Sequence, residues 1–160
     1  MMLPLAYVET TVVSYLTARA SRDVIVAGHQ QSTHDWWKTC RQDYELCVSD
    51  SVLNEAGGGD PIAAQERLLV LNDLLVLETT PEAVVLAKEL IRSAALPKKA
   101  AEDALHIAIA TVWSVEYLLT WNMRHIHNAT MRLRIEAICV EMGYKTPIIC
   151  TPEELGKGMP

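Results

Sequence analysis

Four polar residues stand where short apolar runs end. Glu9 closes Leu5-Ala6-Tyr7-Val8. Glu55 lies just beyond the run Glu45 to Val48, in Ser49-Asp50-Ser51-Val52-Leu53-Asn54-Glu55. Asn122 follows Leu118-Leu119-Thr120-Trp121, and Asp103 stands in Glu102-Asp103-Ala104-Leu105-His106. If the runs are strands of an open parallel sheet, their carboxyl ends are where a site forms. Three carboxylates and one carboxamide then converge. Clustered carboxylates repel one another, and a cation is the natural way to hold them together. Hard oxygen donors suit Mg²⁺ or Mn²⁺, ions that keep several waters and bridge to phosphate. Glu9 is the cleanest signal, because a lone acid closing an apolar strand has little to do in packing. The others carry plain structural alternatives. Asp50 near Glu55 suits a helix cap, Glu102 beside Asp103 suits a solvent-facing helix start, and Asn122 suits a turn after a strand.

The elements that must position these residues alternate between β-rich and helical runs. Strands are expected at Leu5 to Val8, Glu45 to Val48, Leu74 to Leu77, Tyr117 to Thr120 and Ile148 to Cys150. A long helix is expected from Ser21, as N-cap, to about Gln42, and a short one over Ser49 to Ala56, stopped by Gly57-Gly58-Gly59. Asp60-Pro61 and Thr80-Pro81 each give a cap followed by proline at the first helical position, the second helix running to about Ala95. Further helices are expected over Lys99 to Trp113 and Met123 to Met142, the last ended by Gly143. Strands alternating with helices imply parallel pairing. The fold class is therefore α/β: a three-layer sandwich with a central parallel sheet of four to five strands flanked by helices.

The chain has 160 residues, half of them apolar and 21% charged, which fits one globular domain over 1–160. With Gly and Pro at 7 each, collagen-like and low-complexity readings fail. Basic residues number 14 and acidic ones 20, a net charge of −6 that argues against a general nucleic-acid-coating protein. In the most apolar region the charge-free stretch runs only from Ala104 to Val115, well short of the ~20 residues a membrane span needs. The first nine residues offer no basic segment before their apolar run, so a secretory signal is not expected. Cys40, Cys47, Cys139 and Cys150 form no C-x-x-C pair and read as structural thiols in a reducing cytoplasm.

The motifs resemble those of a known family. Tyr7-Val8-Glu9-Thr10-Thr11-Val12-Val13 is similar to the strand-ending segment that opens PIN domains. Ser49 to Glu55 matches the second acidic motif, Asp103-Ala104-Leu105-His106-Ile107-Ala108 the third, and Leu118-Leu119-Thr120-Trp121-Asn122 sits where the fourth is expected. Order and spacing agree over nearly the whole chain. The resemblance implies a metal-dependent ribonuclease of the VapC-type toxins, paired with an antitoxin protein, forming a homodimer and hydrolysing RNA with a metal-activated water. Carried over by position, Glu9, Glu55, Asp103 and Asn122 would hold Mg²⁺ or Mn²⁺. Thr11 and Thr120 would orient ligands or water from behind them. Two positions depart from the family, which usually has Asp where this chain has Glu9 and Asn122. The site then holds three formal negatives instead of four, and one ion is expected to bind well and a second weakly without substrate.

The remaining residues carry weaker signals. Arg124 and His125, with His127, fall near the expected start of the last helix and suit RNA phosphates at the rim of the site. His106 shares a helix face with Asp103 and reads first as a half-buried histidine bonded to a backbone carbonyl. Lys98-Lys99 reads as a solvated helix start, Arg19 and Arg22 as phosphate contacts, and Trp36-Trp37 as packing or an interface. Two further functions compete. A PIN-like module that binds RNA or protein without cutting is favoured by Glu9 and Asn122. A phosphatase or receiver of another α/β kind ranks last, because Glu9-Thr10-Thr11 supplies no aspartate nucleophile.

Overall fold

The computed structural model describes residues 2–156. The chain runs β1 (Leu5–Val8), α1 (Thr10–Thr17), α2 (Val24–Thr39), β2 (Glu45–Ser49), α3 (Asp50–Ala56), α4 (Pro61–Leu71) and β3 (Leu75–Leu77). It continues through α5 (Pro81–Arg92), α6 (Ala101–Val112), β4 (Tyr117–Leu119), α7 (Ala129–Glu141) and β5 (Ile148–Cys150). Tight helical turns at Arg41–Asp43 and Lys98–Ala100 precede β2 and α6. The five strands form one sheet in the order β3-β2-β1-β4-β5, and every pairing is parallel.

The central strands are buried because their sequences leave nothing to face water. Ala6, Tyr7, Val8, Cys47, Val48, Leu118 and Leu119 are fully enclosed, as expected of parallel strands covered on both faces. The chain steps from β1 outward to β2 and β3, then crosses back to lay β4 on the other side of β1. That reversal leaves a crevice between the carboxyl ends of β1 and β4, where α/β sheets bind their ligands. In the register, Val8 is paired with Leu119. The next residues of the two strands, Glu9 and Thr120, therefore emerge side by side at the crevice.

Helix starts are marked by the side chains that cap them. Asp60 accepts from Ala63 N at 2.9 Å, Thr80 from Ala83 N at 3.2 Å and Ser49 from Val52 N at 3.1 Å. Two starts differ from the sequence expectation. The long helix begins at Val24 with Asp23 as cap, its carboxylate accepting from Ile25 N and Val26 N, while Ser21 instead donates its backbone N–H to Gln30. The last helix begins at Ala129, six residues later than expected, because Asn128 supplies the oxygen that receives Thr130 N. Helix α1 adds to the elements read from the sequence.

All four cysteines are free and buried. Of the tryptophan pair, Trp36 enters the core and Trp37 packs under the Arg41 guanidinium, 4.5 Å from its ring centre. Among the described residues no helix is long and apolar enough to cross a membrane.

Candidate functional site

Glu9 is built into the crevice by its own backbone. Its N–H donates to Leu119 O at 3.0 Å, extending the β1–β4 ladder by one bond. Its extended conformation then makes it the N-cap of α1. The carboxylate serves that cap: Oε2 accepts from Thr11 N at 2.5 Å, and Oε1 accepts from Thr120 Oγ1 at 3.3 Å. Glu9 is only 2% exposed. Burial raises its carboxyl above the usual range; the Thr11 amide and the nearby His106 oppose this, and the Glu55 charge adds to it.

A second group forms behind it. Glu55 Oε1 is hydrogen-bonded to His106 Nε2. The other ring nitrogen, Nδ1, meets the Tyr7 hydroxyl at 2.8 Å, and that hydroxyl meets Ser49 Oγ at 2.7 Å. Ser49 Oγ also receives Val52 N. The chain from Glu55 to Ser49 thus joins α3, α6, β1 and β2. Burial pulls His106 down, but the Glu55 hydrogen bond and the charges of Glu55, Glu9 and Asp103 outweigh it and hold the imidazole above its ordinary value. His106 differs from its sequence expectation. It is fully enclosed, and its partners are a phenol and a carboxylate instead of a carbonyl.

The third group lies on the outer side. Asp103, in the first turn of α6, receives Asn122 Nδ2 on Oδ1 at 2.9 Å and meets His125 Nδ1 through Oδ2 at 2.8 Å. Asn122 Oδ1 accepts from His125 N at 3.0 Å, and Asn122 N donates to Thr120 Oγ1 at 2.9 Å. These partners fix which way the amide lies, since a flip would face two oxygens and two N–H groups together. Thr120 therefore links the groups, donating to Glu9 and accepting from Asn122. Thr11 acts likewise: its N–H serves Glu9 and its Oγ1 receives Trp121 N at 2.8 Å.

Glu9, Asp103, Asn122, Thr11, Thr120 and His125 are thus gathered in one hydrogen-bonded network, and Glu55 is gathered beside it in a separate one with His106, Tyr7 and Ser49, its charge acting on Glu9. Other residues singled out in the sequence are not. Arg124 is exposed, and among the described residues its side chain makes no hydrogen bond. His127 turns to Glu154 at 2.7 Å and to Arg132 at 2.6 Å. Asp50 does not cap α3, the cap being Ser49; its carboxylate instead holds the Thr79 hydroxyl and backbone N–H. Sequence reasoning passed over Tyr7 and Trp121. A tyrosine inside an otherwise aliphatic strand was a usable signal, because a buried hydroxyl needs a partner.

The donor set is all oxygen, which suits a hard divalent ion. As arranged, those oxygens face protein donors, and among the described residues no three His, Cys, Asp or Glu side chains form a group ready to hold a metal.

No protein-family model matches the sequence, and no curated protein does. Solved structures do match in fold. VapBC2 from Rickettsia felis, solved with a DNA fragment from their promoter, matches with a TM-score of 0.59 and 13% identity over 92% of this chain and 98% of that one. VapC20 from Mycobacterium tuberculosis, described as a Sarcin-Ricin loop cleaving toxin, matches with a TM-score of 0.61 and 13% identity over 78% of this chain and 95% of its own. A toxin-antitoxin complex from Klebsiella pneumoniae matches with a TM-score of 0.58 and 14% identity over 94% and 99% of the two chains.

The chain has a VapC-like PIN-domain fold. In this PIN fold the acidic crevice lies at the chain reversal between β1 and β4, and its four expected polar residues come from the β1–α1 junction, α3, α6 and the segment after β4.

Proposed function

We propose that this chain is a divalent-metal-dependent ribonuclease of the VapC kind, acting on RNA phosphodiester bonds and held in check by an antitoxin protein. One observation carries the reading. Glu9, Glu55, Asp103 and Asn122 come from four distant segments, yet they meet at the switch point of the sheet: Thr120 joins Glu9 to Asn122 and so to Asp103 by hydrogen bonds, and Glu55, held by His106, lies close enough for its charge to act on Glu9. The likeness of fold supports it, since one matching structure is described as a cleaving toxin and another as a toxin-antitoxin complex.

Glu9, Glu55 and Asp103 would hold the ion, with Asn122 beside Asp103. A divalent ion there supplies positive charge for the phosphate and activates water for attack. The protein's own part is to fix the carboxylates. Thr11 N and Thr120 Oγ1 each hold one oxygen of Glu9, and His106 orients Glu55. Asn122 and His125 orient Asp103, so little rotamer freedom remains to be lost on binding. Arg124 and His125 would serve as phosphate contacts. The homodimer and the cytoplasmic location, where free thiols stay reduced, belong to the same proposal.

The test is RNA cleavage with added Mn²⁺ or Mg²⁺, run beside Asp103→Asn. Metal-dependent cutting that disappears in the variant is expected. Folded wild-type protein that cuts none of several RNAs, or cutting that survives in the variant, overturns the reading. The first of these outcomes favours a non-cleaving RNA-binding module, to which one observation already points: the carboxylate oxygens are capped by the protein's own donors.

A further inference from the structure

Both ends of the acidic site hang on one tripeptide. Thr120 donates to Glu9, Asn122 donates to Asp103, and Trp121 lies between them. Trp121 is 6% exposed and is held from a helix outside the four acidic segments. Its Nε1–H donates to Thr33 Oγ1 on α2 at 2.8 Å. The Thr33 hydroxyl proton is already committed to His29 O at 2.6 Å, so its lone pairs are left for the indole. The His29 ring stacks on the indole, with centroids 4.0 Å apart and planes 14° from parallel. Tyr15 of α1 lies beside both rings, 6.2 Å from Trp121 and 6.3 Å from His29. The indole is thus fixed in direction by a hydrogen bond and in plane by a stack.

Packing alone does not require this. The Trp36 indole N–H is also buried, and it has no hydrogen-bond partner among the described residues. The fold therefore tolerates an indole without a partner in its core but supplies one at Trp121. Gln30, next to His29, ties the α1–α2 connection to the same helix through Ser21 N at 2.9 Å and Arg19 O at 3.0 Å. This ties α2 to the segment that leaves the C-terminal end of α1.

We propose that Thr33 and His29 are positioning residues of the acidic site: by fixing the Trp121 indole they set where Thr120 meets Glu9 and where Asn122 meets Asp103. The proposal rests on the ribonuclease reading only for its kinetic consequence; the geometric consequence stands apart from it.

The experiment compares Thr33→Val, which keeps the shape and removes the acceptor, with Thr33→Ser, which keeps the hydroxyl. Trp121→Phe keeps a ring for the stack and removes the donor, and it carries the comparison if Thr33→Val does not fold. Two signals are read. The first is the Asn122 side-chain amide resonance, which reports its contact with Asp103 without any activity. The second is Mn²⁺-supported RNA cleavage, split into kcat and KM.

Thr33→Val and Trp121→Phe are each expected to move the Asn122 resonance and to lower kcat about tenfold with KM little changed, because small misplacements of reacting groups cost rate. Thr33→Ser restores both. The double variant is no worse than either single one, as for two halves of one interaction. An Asn122 resonance that stays in place in folded Thr33→Val overturns the proposal, as does a moved resonance with full kcat. Wild-type protein that cuts no RNA overturns the ribonuclease reading instead, and the resonance still decides this one.

Discussion

At the residue scale, the site is a set of carboxylates each held by a named partner. The deepest support is Tyr7, whose hydroxyl stands between Ser49 Oγ and His106 Nδ1 with no exposure at all. Tyr7→Phe removes it and leaves two buried polar atoms short of a partner. That is expected to cost about 1–3 kcal/mol of stability, read as a lowered urea midpoint with an unchanged slope. An unchanged midpoint would show that the hydroxyl holds nothing. Glu9 was legible in the sequence as a candidate because an acid that ends an apolar strand lacks a packing role, whereas Asp103 stood out through the order and spacing of the motifs. The partnership of Tyr7, His106 and Glu55 was not. His106 lies 99 residues from Tyr7 and 51 from Glu55, and no local pattern encodes a pairing across such distances. The same holds for Trp121 and Thr33, 88 residues apart.

At the element scale, caps and strand ends decide where functional side chains emerge. The expected strands and the cap-plus-proline helix starts at Asp60 and Thr80 recur in the structure because those signals are local. Helix α1 was not legible. Its opening residues Thr10, Thr11, Val12 and Val13 are β-branched and favour strand, and the helix forms because Glu9 caps it and Val12 and Val13 are buried. Asp50 ties α3, which carries Glu55, to the loop before α5 through Thr79. Burial raises the Asp50 carboxyl, but the Thr79 and Ser51 hydrogen bonds outweigh it, and the group sits below its ordinary value. A depressed folded-state value means the stabilisation is fully present above the unfolded value, near pH 4, and is lost as pH falls through the folded one. Asp50→Asn is expected to lower stability at pH 7 by about 0.5–1 kcal/mol, since solvent screens a charge this open to water. The difference from wild type shrinks below about pH 4, as followed by denaturant unfolding across that range. A difference that stays constant into acid would place the effect elsewhere than in the charge.

At the scale of the whole molecule, the strand order makes the site. Parallel pairing was legible from the alternation of strands and helices, but the order β3-β2-β1-β4-β5 was not. It depends on which faces the crossover helices bury, a tertiary choice. Only that order puts Glu9 and Thr120 side by side and opens the crevice into which α3 and α6 bring Glu55 and Asp103. With a net charge of −6, the proposed polyanionic substrate needs local positive charge at the crevice, which a cation held jointly by Glu9, Glu55 and Asp103 would supply. A calorimetric titration of the folded, metal-free protein with Mn²⁺, repeated on Glu9→Gln, reads this cation site directly. One ion binding well to the wild type, and lost or much weakened in the variant, is the predicted result. No binding, two tight ions, or binding untouched by Glu9→Gln would overturn a joint cation site at Glu9, Glu55 and Asp103.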